Sequence, residues 1–300
     1  MATRRTILMY HRIAEDPFDP YLLCVSPARF EAQVRAILES ADIVGLDRLR
    51  DRASRPQVVI TFDDGYADNL AAALPIVETI GVPITIFVTS GLLDDKAGFW
   101  WDRLALLLHA RDEIDLDLPV GEHGMRILLQ GKGSAAKTLV ALHSRLRALP
   151  TSSIEACLVE LAHQLGTPMP EPARARVMTS GELRAMASSA LVTIGAHTVS
   201  HEMLAGRPAI QQAEMIGGSK QALERLLGLP VEHFAYPFGD GDAFDTTSVD
   251  TARESGFRTA CTGLSGRVSL LNDRLRMPRH GVRDWDGDQL RERLRAWRAS

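Results

Sequence analysis

Seven short apolar runs separated by helical sequence restrict this chain more than any other feature. They are Thr6–Tyr10 (TILMY), Val58–Phe62 (VVITF), Ile84–Ser90 (ITIFVTS), Leu191–His197 (LVTIGAH), His233–Gly239 (HFAYPFG), Phe257–Gly263 (FRTACTG) and Leu275–Gly281 (LRMPRHG). Helical stretches such as Pro27–Ser40 and Ile210–Leu227 lie between them. Near-continuous apolar strands interleaved with helices predict a parallel sheet covered by helices. Several runs end in polar or ionisable residues: His11, Asp63 and Asp64, Thr89 and Ser90, His197, and Arg279 and His280. In a β/α barrel the C-terminal strand ends form the reactive face, so this recurrence favours an α/β fold of the distorted (β/α) barrel kind, with about seven parallel strands.

One stretch breaks the alternation. From about Ala97 to Met178 the chain reads as helices around a hairpin, the latter spanning Ile114 to Gly131. Ser152 with Glu155, and Thr179 with Glu182, have capping-box spacing. The expectation is one barrel over residues 1–300 carrying a mainly helical insertion at about 97–178. An insertion on a barrel face is expected to shape access to the site. The cluster Phe99, Trp100 and Trp101 at its start can stack on a sugar or simply pack a core.

A net charge of −4 over 300 residues, with no basic tract, gives no footprint for nucleic acid or anionic lipid. No apolar run has the length of a membrane span, and the stretch before His11 is too short for a secretory core. Cys24, Cys157 and Cys261 are scattered and lack CxxC spacing, which reads as buried thiols in a reducing compartment, with the cytoplasm as the expected location.

Chemistry concentrates in two segments. In VVITFDDG, Asp63 and Asp64 follow an apolar strand; in GAHTVSHEML, His197 and His201 stand four apart after another. A helical turn there would put both imidazoles on one face, able to grip one divalent cation, with either aspartate completing the set. Adjacent side chains at a strand end point apart. One aspartate can therefore bind the cation while its neighbour acts as a general base on water.

TFDDG together with HTVSH resembles the NodB-homology polysaccharide deacetylases, carbohydrate esterases that remove N-acetyl groups from amino-sugar glycans. The resemblance covers about Ile7–Phe99 and Thr179–Trp285. It implies Asp63 as general base and Asp64, His197 and His201 as ligands of a divalent metal, zinc first, with cobalt or nickel as alternatives. The family's third motif, Arg-x-Pro-Tyr-Gly, is altered here to FAYPFG, with Ala235 at the arginine place and Phe238 at the tyrosine place. The backbone N–H of Phe238 is expected to stabilise the oxyanion. Arg279 is the expected substitute for the missing arginine, beside Asp63. An N-terminal YHR resembles the circularly rearranged branch of the family, which implies His11 as general acid, with His280 as second choice. RDWDG (Arg283–Gly287) reads as a cap for a final amphipathic helix whose Leu290, Leu294 and Trp297 face inward.

The implied function is metal-dependent removal of N-acetyl groups from an amino-sugar glycan or glycan precursor, so that carbohydrate is the expected partner. The alternatives are a deformylase or O-deacetylase of a small or lipid-linked sugar, and a catalytically silent glycan-binding barrel. The sequence names no oligomeric state.

Overall fold

The structure, a computed structural model, describes residues 5–109, 111–118, 124–131, 134–269 and 273–299. The tip of the expected hairpin, residues 119–123, lies outside the described residues. Two compact units divide the chain: Met1–Asp16, Leu23–Leu93 and Met178–Ser300 form one, and Pro17–Leu22 with Asp94–Val177 form the other.

The larger unit opens with β1 (Arg5–Tyr10), β2 (Arg12–Ile13), β3 (Cys24–Val25), α1 (Pro27–Ser40), β4 (Asp42–Ile43), β5 (Gln57–Phe62), α2 (Leu74–Ile80) and β6 (Ile84–Val88). The smaller unit contributes α3 (Trp100–His109), β7 (Glu113–Leu118), β8 (Met125–Gln130), α4 (Ser134–Leu146) and α5 (Thr151–Gln164). The larger unit then resumes with α6 (Ser180–Ala187), β9 (Val192–Ala196), α7 (Ala209–Leu227), β10 (His233–Ala235), α8 (Thr246–Glu254), β11 (Thr259–Cys261), β12 (His280–Gly281) and α9 (Gly287–Ala299).

The main sheet runs β11-β10-β9-β6-β5-β1-β12, every pairing parallel, and β4 pairs with the first half of β5. Met277 bridges Cys261 three residues before His280–Gly281 pair with β1. One closing segment therefore touches both ends of the sheet and gives the distorted barrel its curvature. Each expected strand is present, and the last three are shorter than their apolar runs.

Strand parity explains the layout. Leu8, Tyr10, Ile60, Phe62, Ile86 and Phe234 point outward into the larger core, where α1 supplies Phe30, Val34 and Ile37 and α9 supplies Leu290 and Leu294. The alternate residues Ile7, Val59, Phe87, Ala235 and Cys261 fill the barrel interior. Phe87 needs the glycine opposite: a Cβ on Gly195 would lie 2.5 Å from its ring. Continued to the strand ends, the inward series reaches His11, Asp63, Thr89, His197 and, on the closing segment, Arg279.

In the smaller unit β7 and β8 pair antiparallel from Glu113↔Gln130 to Leu118↔Met125. Phe99, Trp100 and Trp101 are buried in its core, Trp100 stacking on His143 at 5.0 Å. Packing is thus the role the structure gives these aromatics. The expected Ser152 cap is absent: Pro150 stands at the N-cap and α5 begins at Thr151. The fixed φ of proline favours an early start, and Glu155 pairs instead with the buried Arg103, whose charge needs a partner more than a helix-end N–H does. Thr179 and Glu182 do form a capping box at α6. Cys24, Cys157 and Cys261 are buried, and none of them is in a disulfide among the described residues. Among the described residues no helix is long and apolar enough to cross a membrane.

Candidate active site

Asp63 and Asp64 leave β5 in different directions. Asp63 continues the inward series and meets Arg279 in a two-point ion pair, Nη1 to Oδ1 at 2.6 Å and Nη2 to Oδ2 at 2.7 Å. The guanidinium is held by its remaining donors: Nε donates to the Thr262 carbonyl at 2.9 Å and Nη1 to Thr61 Oγ1 at 3.1 Å. It also lies 5.4 Å from the centre of the Phe87 ring. Burial alone would raise the Asp63 carboxyl, but Arg279 outweighs it, with His197 adding to the effect, and the pKa falls to about 2. The base candidate is therefore ionised at any working pH.

Asp64 has a left-handed backbone, φ 74°, a conformation unusual outside glycine. This twist turns its side chain away from the outward path and towards two imidazoles. Its Oδ1 lies 3.2 Å from His201 Nε2 and 3.6 Å from His197 Nε2, and all three residues are buried. His197 extends the inward series of β9. His201 reaches the site through a loop, not the helix expected from the spacing: Thr198 and His201 have φ of 64° and 57°, and α7 starts only at Ala209. The loop gains its hydrogen bonds elsewhere, His201 N–H donating to Thr198 Oγ1 at 3.0 Å and Leu204 N–H to the Ala243 carbonyl at 2.8 Å. Those partners replace the ladder a helix would have used.

The protonation of this group follows from its contacts. His197 Nδ1 lies 2.7 Å from the Ala235 carbonyl. A carbonyl only accepts, so Nδ1 carries the proton and Nε2 keeps its lone pair, an acceptor beside the Asp64 oxygen with which it can share a cation. Burial lowers the His197 pKa to about 4, against the opposing pull of Asp63, so the ring is neutral at pH 7. Among the described residues the buried Asp64 Oδ1 has no hydrogen bond of acceptable geometry. An anionic oxygen and imidazole nitrogens within 4.8 Å of one another could hold a divalent cation, and two nitrogens with one oxygen are donors of the type that zinc, cobalt or nickel takes.

His11 extends the inward series of β1, half-buried at the mouth of the barrel. Burial lowers its pKa, Asp64 and Asp63 oppose that, and Arg279 and Arg283 add to it. The structure thus brings His11 into electrostatic reach of Asp63, Asp64 and Arg279. His280 does not join them. With Arg279 pointing inward, the next side chain points outward, and the His280 ring stacks on Trp297 of α9 at 4.1 Å. Phe238 sits after β10 with φ 60°, its ring edge-on to His201 at 4.7 Å. The turn that carries it passes so close to the next strand end that a Cβ on Gly239 would fall 2.2 Å from Gly263 N.

Residues that the sequence did not single out complete the site. Thr61 anchors Arg279 and is itself tied to the Leu8 carbonyl at 2.7 Å. Thr198 holds the turn between the histidines. Their signal was a threonine at an inward position of an apolar strand and one between two candidate ligands. RDWDG behaves as a cap: Asp286 accepts from Gln289 N–H at 2.9 Å, and Leu290 and Leu294 of α9 are buried.

The sequence matches the family model described as polysaccharide deacetylase over residues 50–127 and 171–260, more than half of the chain. No curated protein matches it. Among solved structures it is similar to a polysaccharide deacetylase, BC0361 of Bacillus cereus, at 18% identity and TM-score 0.63, over 97% of this chain and 68% of that one. It is also similar to the deacetylase PplD of Streptococcus pyogenes in complex with acetate, at 18% identity and TM-score 0.63, over 98% of both chains. IcaB of Ammonifex degensii is 18% identical with TM-score 0.63, over 100% of this chain and 98% of that one. At these identities the likeness is one of fold.

Proposed function

Because the chain belongs to the polysaccharide deacetylase family, we propose that this hydrolase of carbon–nitrogen amide bonds removes N-acetyl groups from an amino-sugar glycan or glycan precursor with the help of a bound divalent cation. The observation that carries the reading is the buried set Asp64, His197 and His201 beside the Asp63–Arg279 pair. Zinc is the proposed ion. When bound, it supplies Lewis-acid polarisation of the acyl carbonyl and of the attacking water.

The side chains divide the remaining work. Asp63 accepts a proton from water as its oxygen bonds to the carbonyl carbon. Arg279 keeps Asp63 ionised and aimed, its fork fixing both carboxylate oxygens. The N–H of Phe238 is assigned the stabilisation of the oxyanion. His11 gives a proton to the nitrogen as the carbon–nitrogen bond breaks, so that acetate and a free amino sugar leave. Three buried thiols outside any disulfide fit a reducing compartment, and the cytoplasm is the proposed location.

The test is acyl release, followed by mass spectrometry, from N-acetylated and N-formylated sugars, oligomers and nucleotide sugars in the presence of zinc or cobalt. Loss of one acetyl mass in wild type, abolished in Asp63→Asn, is the expected result. Formyl release alone would change the substrate class. No release with zinc stoichiometrically bound would overturn the hydrolytic reading in favour of a glycan-binding barrel.

A further inference from the structure

The His11 ring has no hydrogen-bond partner among the described residues, so its placement depends on the main chain that carries it. That main chain is fastened on both sides. The His11 carbonyl accepts from Asn69 Nδ2 at 2.8 Å. Two residues later, Ile13 N–H donates to Asp68 Oδ1 at 3.1 Å, an oxygen that also accepts from Asn69 Nδ2 at 3.2 Å. Between these anchors Arg12 is buried, 5% exposed. Its Nε donates to Asp68 Oδ2 and its Nη1 to Asp16 Oδ2, each at 3.0 Å. The guanidinium also lies 5.4 Å from the centre of the Tyr66 ring.

Asp68 and Asn69 stand at the entrance of a π-helical turn, Asn69–Ala73, and both point back to the exit of β1. Such wide turns are rare and cluster at functional sites. One continuous stretch, Asp63 to Asn69, thus supplies the base, a ligand and the attachment of the His11 segment. A buried ion pair adds little net stability over an apolar replacement of the same shape. What this one secures is geometry.

We propose that Arg12, Asp68 and Asn69 are positioning residues that clamp the main chain around His11 and so set the approach of its ring to the leaving nitrogen. The proposal rests on His11 as the general acid. A pair of substrates separates the two ideas. An amine must be protonated as it leaves, whereas 4-nitrophenolate leaves without a proton, so the ratio of N-acetyl sugar to 4-nitrophenyl acetate turnover isolates proton donation.

In the zinc-loaded full chain, His11→Ala is expected to lower kcat on the amide about 100-fold and to change the aryl ester rate little. Equal losses on both substrates, or none, would remove the acid assignment and the proposal with it. Given the expected His11 result, Asp68→Asn, nearly isosteric and so the gentlest change to the fold, is expected to lower amide kcat about 10-fold or more while KM, zinc stoichiometry and ester rate stay within about twofold. Asn69→Ala should reproduce this ratio, and Arg12→Lys, which keeps the charge, should recover part of what Arg12→Met loses. If the clamp variants lower amide and ester rates together, or leave both unchanged, the network is purely structural and the proposal falls.

Discussion

Arg279 is fixed inside the barrel by every nitrogen of its guanidinium. Nη1 and Nη2 hold Asp63, Nη1 also reaches Thr61, and Nε donates to the Thr262 carbonyl. Arg279→Met should leave Asp63 as an uncompensated buried charge, a loss of about 3–5 kcal/mol at pH 7 by urea unfolding. Asp63 has a folded pKa near 2, below the unfolded value of about 3.9, so its contribution is complete above the unfolded value and is lost as pH falls towards 2. The deficit of the variant should therefore be smaller at pH 3 than at pH 7; an equal deficit at both would remove the ion pair as its cause. Arg279 was legible as a substitute because a strand-end arginine was the available cation. Its neighbour His280, the second choice for the acid, is turned the other way: inward and outward positions alternate, and its ring stacks on Trp297 of α9.

Helices and strands were read well where a periodic pattern and a local cap coincided, as at Pro27–Ser40 and at the Thr179–Glu182 box. Between His197 and His201 the four-residue spacing allowed a helical turn that the chain does not form, because such spacing is a helical sign only when the backbone bonds to itself. Here Ala243 supplies acceptors for Leu204 and Ala205, and Asp245 accepts from Gly206 N–H at 3.0 Å. Nothing local in the sequence announces partners some 40 residues away. Asp245 also caps α8 through Ser248 N–H at 3.0 Å. Burial opposes the Asp245 anion, but the Gly206 and Ser248 bonds prevail and lower its pKa. Its contribution is thus present above the ordinary carboxylate range and disappears as pH falls through the lowered value. Asp245→Ala should cost about 1 kcal/mol near neutral pH. Hydrogen exchange should quicken at both Gly206 and Ser248; unchanged protection at Gly206 would detach the histidine loop from this cap.

At the scale of the molecule, the parity of an apolar strand decides which residues meet: β1, β5, β9 and the closing segment deliver His11, Asp63, His197 and Arg279 to one mouth. The family match spans residues 50–127 and 171–260, so two of these four, His11 and Arg279, lie outside it and enter the site through sheet pairing of β12 and β5 with β1. Three-dimensional closure, not local motif, makes them neighbours, which is why their roles are the least legible in sequence. The same closure ties ion binding to folding. Asp64 and the two histidines stand at the ends of β5 and β9, far apart in an unfolded chain, so a cation that grips all three binds the folded barrel alone. At free zinc about 1,000 times its Kd the barrel should gain about 4 kcal/mol, on the order of 10 °C in Tm. Calorimetry with zinc and then with a chelator should show that shift in wild type and lose it in His197→Ala. A Tm indifferent to zinc in the wild type, or a shift that survives His197→Ala, would mean that the buried donors hold no structural ion. Because the chain divides into two compact units and the donors all lie in the larger, the zinc-dependent transition is the one that reports the barrel.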